Sequence, residues 1–205
     1  IWSLDPANLT TKLSLYFGYV VFYENQAFLD GRYWYKKEYA NSVTEKIDRF
    51  DLHSLGQDVL NFYEIPIDSG LVTKLAFDDK SMYVLYRGGE FIVLDKHNNY
   101  KKVAEGFLNA NCIDLKINDD FLYCIDDYDA YYFDRFNYQG DNKVRIVAYK
   151  KEEIFTQKYN KYESLAYSFA LPIKWNSALS FQDESIYGQE NRGDVRRYSK
   201  ITGDI

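Results

Sequence analysis

The chain has 205 residues, of which 46% are hydrophobic and 27% charged, and its formal net charge is −6 at pH 7. This composition excludes a disordered chain, and the acidic balance argues against a general nucleic-acid binder, which needs a basic face to neutralise phosphates. The sequence contains no run of roughly 18 apolar residues that could cross a bilayer, so no membrane insertion is expected. Aromatic residues make up 19%, with 21 Tyr and 14 Phe, and they favour strands.

Four stretches of the sequence share one pattern, in which an alternating apolar strand is followed by a polar turn and a second strand. They cover residues 20–29, 75–84, 115–124 and 179–188. Their turns are predicted at Glu24-Asn25, Asp78-Asp79, Asn118-Asp119-Asp120 and Gln182-Asp183-Glu184. Turn-forming residues between two alternating runs predict a β-hairpin in each case.

Further strands follow each hairpin. Third strands are predicted at 45–51, 90–95, 143–149 and 194–199, and fourth strands near 57–65, 100–106 and 153–159. The third strands end at residues 51, 95, 149 and 199, so the repeat returns at intervals of 44, 54 and 50 residues. A four-stranded antiparallel meander with a period of about 40 to 50 residues is typical of a β-propeller blade.

On these residues the chain resembles β-propeller repeats from about residue 12 to 199, and most of all the TolB-like and six-bladed bacterial propellers. The resemblance implies an all-β fold of four-stranded antiparallel blades in a single domain 1–205. The blades are expected at about 19–65, 71–106, 111–159 and 177–205, with a strand at 11–17 completing the last. Two alternatives stay open, a complete four-bladed ring and a part of a larger propeller.

The loops of such a meander divide between two faces, since successive strands run in opposite directions. Loops from strand two to strand three, and from blade to blade, share one face. Long insertions are predicted there at 34–44, 134–142 and 159–175, whereas the turns of the other face are short. Long loops on a rigid scaffold often carry recognition, so we expect this face to bind a protein or a glycan.

The predicted ligand-binding residues are the aromatic and basic side chains of these insertions, which combine apolar area with a polar tip. They are Tyr33, Trp34, Tyr35, Lys37, Tyr39, Arg135, Tyr138, Tyr162 and Trp175. The alternative for each of them is packing within or between blades, since Tyr33-Trp34-Tyr35 also alternates as a strand would. The leading hypothesis is therefore a non-catalytic binding module.

Other chemistry has weaker support in the sequence. His53 and His97 occupy equivalent turns and are expected to be solvated, and neither a nucleophilic triad nor a metal or cofactor site is predicted. A carboxylate-based glycan hydrolase is an alternative, because propeller glycosidases place acidic residues around the centre. Its candidates are Asp30, Asp68, Asp114 and Glu163. A purely structural fragment of a larger assembly is the third possibility.

Two observations concern the compartment. Cys112 and Cys124 lack the number for a disulfide framework and the spacing for a metal site, so buried thiols are predicted, with a cross-strand disulfide as the alternative. Asn8-Leu-Thr10 is a glycosylation sequon, which has meaning in a secreted eukaryotic chain. An extracytoplasmic or secreted location is expected, and a cytoplasmic one stays open.

Overall fold

The structure is a computed structural model, and it describes residues 28–40, 43–54, 62–108, 112–126, 144–156, 163–171, 179–182, 185–189 and 195–199. Most of these residues belong to antiparallel strands. The chain divides into two compact units, residues 1–69 and 70–205. No helix among the described residues is both long enough and apolar enough to cross a membrane.

The first sheet lies almost entirely in the first unit. Its strands, in the order β1-β2-β3-β4, are β1 Phe28–Asp30, β2 Tyr33–Ala40, β3 Val43–Asp51 and β4 Phe62–Gly70, and a short 3-10 turn at Leu52–Ser54 follows β3. Side chains of successive strand residues point to opposite faces. Tyr35 is buried on one face, while Trp34 stacks on Phe50 on the other with ring centroids 5.0 Å apart. Both faces of this sheet therefore carry buried apolar groups.

The second unit contains three sheets of the same connectivity. The second sheet has β5 Val72–Phe77, β6 Ser81–Tyr86, β7 Glu90–Asp95 and β8 Lys101–Phe107. The third has β9 Cys112–Ile117, β10 Phe121–Asp126, β11 Val144–Lys150 and β12 Leu165–Leu171, with helix α1 Lys151–Ile154 between the last two. The fourth has, among the described residues, β13 Leu179–Gln182, β14 Ser185–Gln189 and β15 Val195–Ser199.

The core of the second unit lies between successive sheets. One apolar cluster joins the second and third sheets, and includes Tyr83, Leu85 and Phe91 from the one and Leu115 and Leu122 from the other. A second cluster joins the third and fourth sheets in the same way. The strands in the middle of each sheet are buried, whereas most residues of the outer strands β8 and β12 are exposed or half-buried. Successive antiparallel meanders packed face to face are β-propeller blades, which confirms the predicted all-β propeller fold.

The third strands were predicted most accurately, since all four lie within one or two residues of β3, β7, β11 and β15. The hairpin turns at 78–80 and 118–120 are also confirmed. The single domain, the blade limits and the completing strand at 11–17 remain predictions, and residues 11–17 lie outside the described part of the chain.

The first hairpin was placed wrongly. Its turn lies at Gly31-Arg32, so Tyr35 rather than Phe28 occupies the position of Tyr83 in the second sheet. Gly31 has a φ of +57°, a left-handed conformation that glycine adopts without a steric penalty. The predicted turn at Glu24-Asn25 falls outside the described residues. The predicted long insertion at 34–44 is in fact two paired strands, β2 and β3.

The fourth strands of the first and third sheets also differ from their predicted places. The strand expected near 57–65 lies at Phe62–Gly70, and residues 153 and 154 of the strand expected near 153–159 belong to α1. The last strand of the third sheet is β12, within the segment 159–175 that was predicted to be a long loop. Lys150-Lys-Glu-Glu153 has no β-branched or aromatic residue and favours a helical turn, whereas Leu165-Ala-Tyr-Ser-Phe-Ala-Leu171 alternates as a strand.

Cys112 and Cys124 are joined by a disulfide between the neighbouring strands β9 and β10, with their Cα atoms 5.6 Å apart. Both residues are buried in the cluster between the second and third sheets. The prediction of free buried thiols was therefore wrong, and the alternative of a cross-strand disulfide is correct.

Candidate binding surface

Five of the nine predicted ligand-binding residues lie in strand β2. Trp34 and Tyr35 are core residues, with 4% and 0% of their surface exposed, because they point into the two faces of the sheet. Tyr33 and Lys37 are partly exposed, and Tyr39 lies near the end of the same strand. The other four, Arg135, Tyr138, Tyr162 and Trp175, lie outside the described residues. Residues 34–40 of the insertion predicted at 34–44 thus belong to a strand.

Tyr33 belongs to a row of alternating cationic and aromatic side chains across β2, β3 and β4. The guanidinium carbon of Arg49 lies 4.4 Å from the ring centroid of Tyr33 and 5.4 Å from that of Tyr63. The guanidinium carbon of Arg32 lies 5.0 Å from the ring centroid of Tyr33. Each distance is short enough for a cation–π interaction. We call Arg32, Tyr33, Arg49 and Tyr63 the cation–aromatic ladder.

The register of the sheet explains how these residues meet. Arg49 pairs with Tyr35, so Tyr33 is its diagonal neighbour on the same face, within reach of a long side chain. Arg49 occupies the middle strand and can therefore contact rings from both β2 and β4. Sequence reasoning missed Arg49 and Tyr63, because their proximity depends on the pairing of strands and on no local motif.

Asp51 fixes one end of the ladder. It lies directly opposite Tyr33 in the register, and its Oδ2 forms an ion pair with the guanidinium of Arg32. Its other oxygen, Oδ1, accepts the main-chain N–H of His53 at 3.0 Å. The carbonyl oxygen of Arg32 accepts the N–H of Leu52 at 2.9 Å. Arg32 is thus held both through its side chain and through its main chain.

The ladder is accessible from solvent. Tyr63 is 38% exposed, the side chain of Arg32 is 50% exposed, and Tyr33 and Arg49 are intermediate. Tyr33, Arg32 and Asp51 lie at the edge of the sheet formed by the β1–β2 turn and the end of β3. This edge is opposite to the β2–β3 turn. The aromatic residues of the ladder therefore lie on the short-turn side, and not on the side for which the loops were predicted.

The other face of the same sheet carries a network of ion pairs. Lys46 lies between Asp48, at 3.7 Å, and Glu64, while Lys36 pairs with Glu38. Burial raises the pKa of Asp48, although the charge of Lys46 acts in the opposite direction. A hydrogen bond to Glu64 raises the pKa of Lys46. Each charged group has an opposite charge beside it, and the ion pair between Lys46 and Glu64 joins β3 to β4.

The four carboxyl groups considered for hydrolysis lie on four different elements. Asp30 is in β1, Asp68 in β4, Asp114 in β9, and Glu163 just before β12. Asp114 lies between Lys74 and Lys116, at 3.9 and 3.5 Å, and its Oδ1 accepts the N–H of Leu115 at 2.8 Å. This carboxylate therefore has two ammonium groups beside it.

The histidines are exposed, as predicted. The main-chain N–H of His53 bonds to Asp51, and that of His97 bonds to Oδ1 of Asp95 at 2.9 Å, so the two turns are built alike. Within the part of the chain that the structure describes, no group of three or more His, Cys, Asp or Glu side chains could hold a metal ion.

Two hairpin turns of the second unit, at Asp78 and Asn118, share a polar clamp. Oδ1 of Asp78 accepts the N–H groups of Lys80 and Ser81, at 2.9 and 2.7 Å. Its Oδ2 accepts the hydroxyl of Tyr83 at 2.9 Å and lies 2.9 Å from the ammonium of Lys151. Burial and the nearby carboxylate raise the pKa of Tyr83 far above its usual value, so this hydroxyl stays a donor.

Asn118 repeats the clamp in the third sheet. Its Oδ1 accepts the N–H groups of Asp120 and Phe121, at 3.0 and 2.7 Å, and its Nδ2 donates to the hydroxyl of Tyr123 at 3.2 Å. The acceptor and the tyrosine are five residues apart in both sheets. This explains the recurrence of a polar residue and a Tyr around each turn, which is a structural signal and not a catalytic one.

Comparisons with known proteins give no family assignment from sequence, since no protein-family model and no curated protein matches the chain. Solved structures show only distant similarity. Kluyveromyces lactis Hsv2 is 10% identical, with 87% of this chain and 48% of that chain covered and a TM-score of 0.45. BamB from Moraxella catarrhalis is 11% identical, with 85% and 43% covered and a TM-score of 0.45.

The β-propeller domain of Cps50 (Swd1) from Myceliophteria thermophila is 11% identical, with 83% of this chain and 49% of that chain covered and a TM-score of 0.47. The chain thus spans about half the length of these proteins or less. Its own sheets carry the structural conclusion, because each follows the strand order of a blade. The chain is an all-β protein of the β-propeller repeat type.

Proposed function

We propose that this chain is a non-catalytic binding module that recognises a protein or a glycan through the cation–aromatic ladder. The observation that carries the proposal is the position of Arg49 between the rings of Tyr33 and Tyr63 on an accessible part of the first sheet. Binding by propeller repeats through surface side chains needs no cofactor, and none is part of the proposal.

The chemistry of the ladder suits recognition. Tyrosine and arginine present a large contact area together with polar groups, and both are enriched at interfaces relative to the rest of a protein surface. The ladder lies on paired strands and is fixed at one end by Asp51. Side chains that are already held in place lose little conformational entropy on binding, which favours affinity.

The hydrolase alternative has less support. A glycosidase needs two carboxyl groups at a defined separation, one of them held protonated. Among the described carboxyl groups, Asp48 has a pKa that burial raises, but it is itself buried and lies beside Lys46. Substrate access to Asp48 would require this network to open, whereas the ladder is accessible as it stands.

We also propose that the chain works in an oxidising compartment. Disulfides persist in extracytoplasmic and secreted proteins and are rare in the cytosol. The buried bond between Cys112 and Cys124 fits the first environment.

The test of the binding function compares two substitutions of equally exposed aromatic residues. Tyr63 in the ladder is 38% exposed and Phe107 in β8 is 37% exposed. The purified chain is screened against a glycan array and a displayed peptide library, and bound ligands are measured again with Tyr63→Ala and Phe107→Ala. We expect Tyr63→Ala to weaken binding by about tenfold or more, as for an interface residue of this type, and Phe107→Ala to leave it unchanged. An equal effect of the two would contradict the proposal.

A further inference from the structure

We infer that the partner of the cation–aromatic ladder is an acidic segment of another protein. This inference rests on the proposed binding function and assigns a chemical class to its ligand. It starts from the charges that surround the ladder on its own face of the first sheet.

These charges are positive on balance. The ladder supplies the guanidinium groups of Arg32 and Arg49, and Lys37 lies on the same face with its Nζ 5.7 Å from the ring centroid of Phe28. Against these three cations, the described residues of the same face include two carboxylates, Asp51 and Asp30, both in register with Tyr33. The excess positive charge is notable on a chain with a net charge of −6.

The guanidinium group selects for carboxylates. It is planar, stacks on aromatic rings and presents N–H donors in a fork that matches the two oxygens of a carboxylate. Asp51 shows the attraction between the two charges within the chain, since its Oδ2 pairs with the guanidinium of Arg32. An incoming Asp or Glu side chain would meet guanidinium groups of the same charge at the exposed side of the ladder.

The composition and shape of the ladder favour a protein over a glycan. Tyr and Arg are among the residues most enriched at the energetic centres of protein–protein interfaces. The ladder crosses three neighbouring strands that lie about 4.8 Å apart, so it extends for roughly 10 Å along the sheet. This length fits two or three side chains of a peptide segment that lies across the strands.

The experiment uses a fluorescent peptide rich in Glu and Tyr, and a second peptide in which Gln replaces every Glu. Affinities of the full chain are measured by fluorescence anisotropy for the unmodified protein, Arg49→Gln and Arg49→Lys. Arg87→Gln is the matched control, since Arg87 is an exposed arginine in the β6–β7 turn of the second unit. Circular dichroism melting confirms that each variant is folded.

We expect the Glu peptide to bind the unmodified chain at least about tenfold more tightly than the Gln peptide. Arg49→Gln should remove most of this difference. Arg49→Lys should retain part of it, because an ammonium keeps the charge and loses the planar fork. Arg87→Gln should leave the affinity within about twofold. Equal affinity for the two peptides, or equal effects of Arg49→Gln and Arg87→Gln, overturns the inference.

The same experiment separates failure of this inference from failure of the binding function. A polyuronate oligosaccharide is measured as well. If it binds more tightly than the Glu peptide, and if Arg49→Gln alone weakens its binding, the protein partner is overturned and the ladder remains a binding surface. The same conclusion follows if the Glu peptide does not bind but Tyr63→Ala still abolishes binding of a ligand found in the screen. If Tyr63→Ala and Phe107→Ala behave alike for every ligand, both proposals are wrong.

Discussion

The ammonium group of Lys151 lies 2.9 Å from Oδ2 of Asp78 in the neighbouring sheet and donates to the main-chain oxygen of Asn118 at 3.0 Å. Lys96 takes the corresponding position in the second sheet, where it donates to the main-chain oxygen of Asp78 at 2.6 Å. Each lysine follows the third strand of its sheet and reaches the hairpin turn of that sheet. Lys151 also reaches the turn of the sheet before it, so one side chain ties two blades together.

Replacing Lys151 by Met should therefore destabilise the second unit. The side chains of Lys151 and Asp78 are mostly buried, and the substitution leaves the carboxylate of Asp78 without its ammonium partner. Loss of one partner of such a pair costs about 1–3 kcal/mol. Urea unfolding followed by tryptophan fluorescence measures the change. Lys80→Met is the control, since Lys80 is exposed and contributes its main-chain N–H to the same turn. Equal midpoints for the two variants would show that Lys151 does not join the blades.

The clamp at Asp78 should make the fold sensitive to acid. Burial acts to raise the pKa of Asp78, but hydrogen bonds from Lys151, Lys80, Ser81 and Tyr83 outweigh it and hold the pKa below 3.8. A carboxyl group with a lower pKa in the folded state stabilises the fold above its unfolded pKa, and this stabilisation is lost as the pH falls. The melting temperature of Asp78→Asn should therefore lie below that of the unmodified chain at pH 7 and approach it below about pH 4. Asp79→Asn, an exposed neighbour, should show no such convergence.

The parts of the fold that were predictable are those with local signals. The strand 90–95 follows Gly88 and Gly89, both with a positive φ that marks the turn, and its apolar residues are continuous. The turns at Asp78 and Asn118 were found because a polar residue and a tyrosine recur at fixed spacing. The first hairpin was missed, because residues 20–29 also match the repeat pattern and the prediction placed the hairpin there.

The candidate binding surface was only half predictable. Tyr33 was identified as an aromatic residue at the predicted insertion 34–44, but its partners Arg49 and Tyr63 lie on other strands. Which of these side chains meet depends on strand register, and a shift by one residue moves every side chain to the other face. Alternation also explains the error at Trp34 and Tyr35, because both faces of the sheet are covered and an alternating pattern does not show which face is exposed.

A second pH effect of opposite sign is expected at Asp48. Burial raises the pKa of this carboxyl group above 3.8. A raised pKa in the folded state makes the fold lose stability as the pH rises from the unfolded pKa through the folded one. Asp48→Asn should therefore raise the melting temperature at pH 7, and the gain should vanish in acid. Lys46 keeps Glu64 as its partner in the variant.

Asp68→Asn, on an exposed position of β4, is the control for Asp48→Asn. A lower melting temperature of Asp48→Asn at pH 7 would show that the ion pair with Lys46 outweighs burial.

The disulfide should contribute measurably to the stability of the second unit. Cys112 and Cys124 are 12 residues apart, and closing a loop of this size stabilises a fold by about 2–3 kcal/mol through the entropy of the unfolded chain. The double variant Cys112→Ala/Cys124→Ala should unfold at a lower urea concentration than the oxidised chain. Reductant should lower the midpoint of the unmodified chain toward that of the variant and leave the variant itself unchanged. The two sulfur atoms are buried, so reduction should proceed faster as urea opens the fold. A midpoint of the unmodified chain that does not respond to reductant, even after complete unfolding and refolding, would show that the bond does not stabilise the protein.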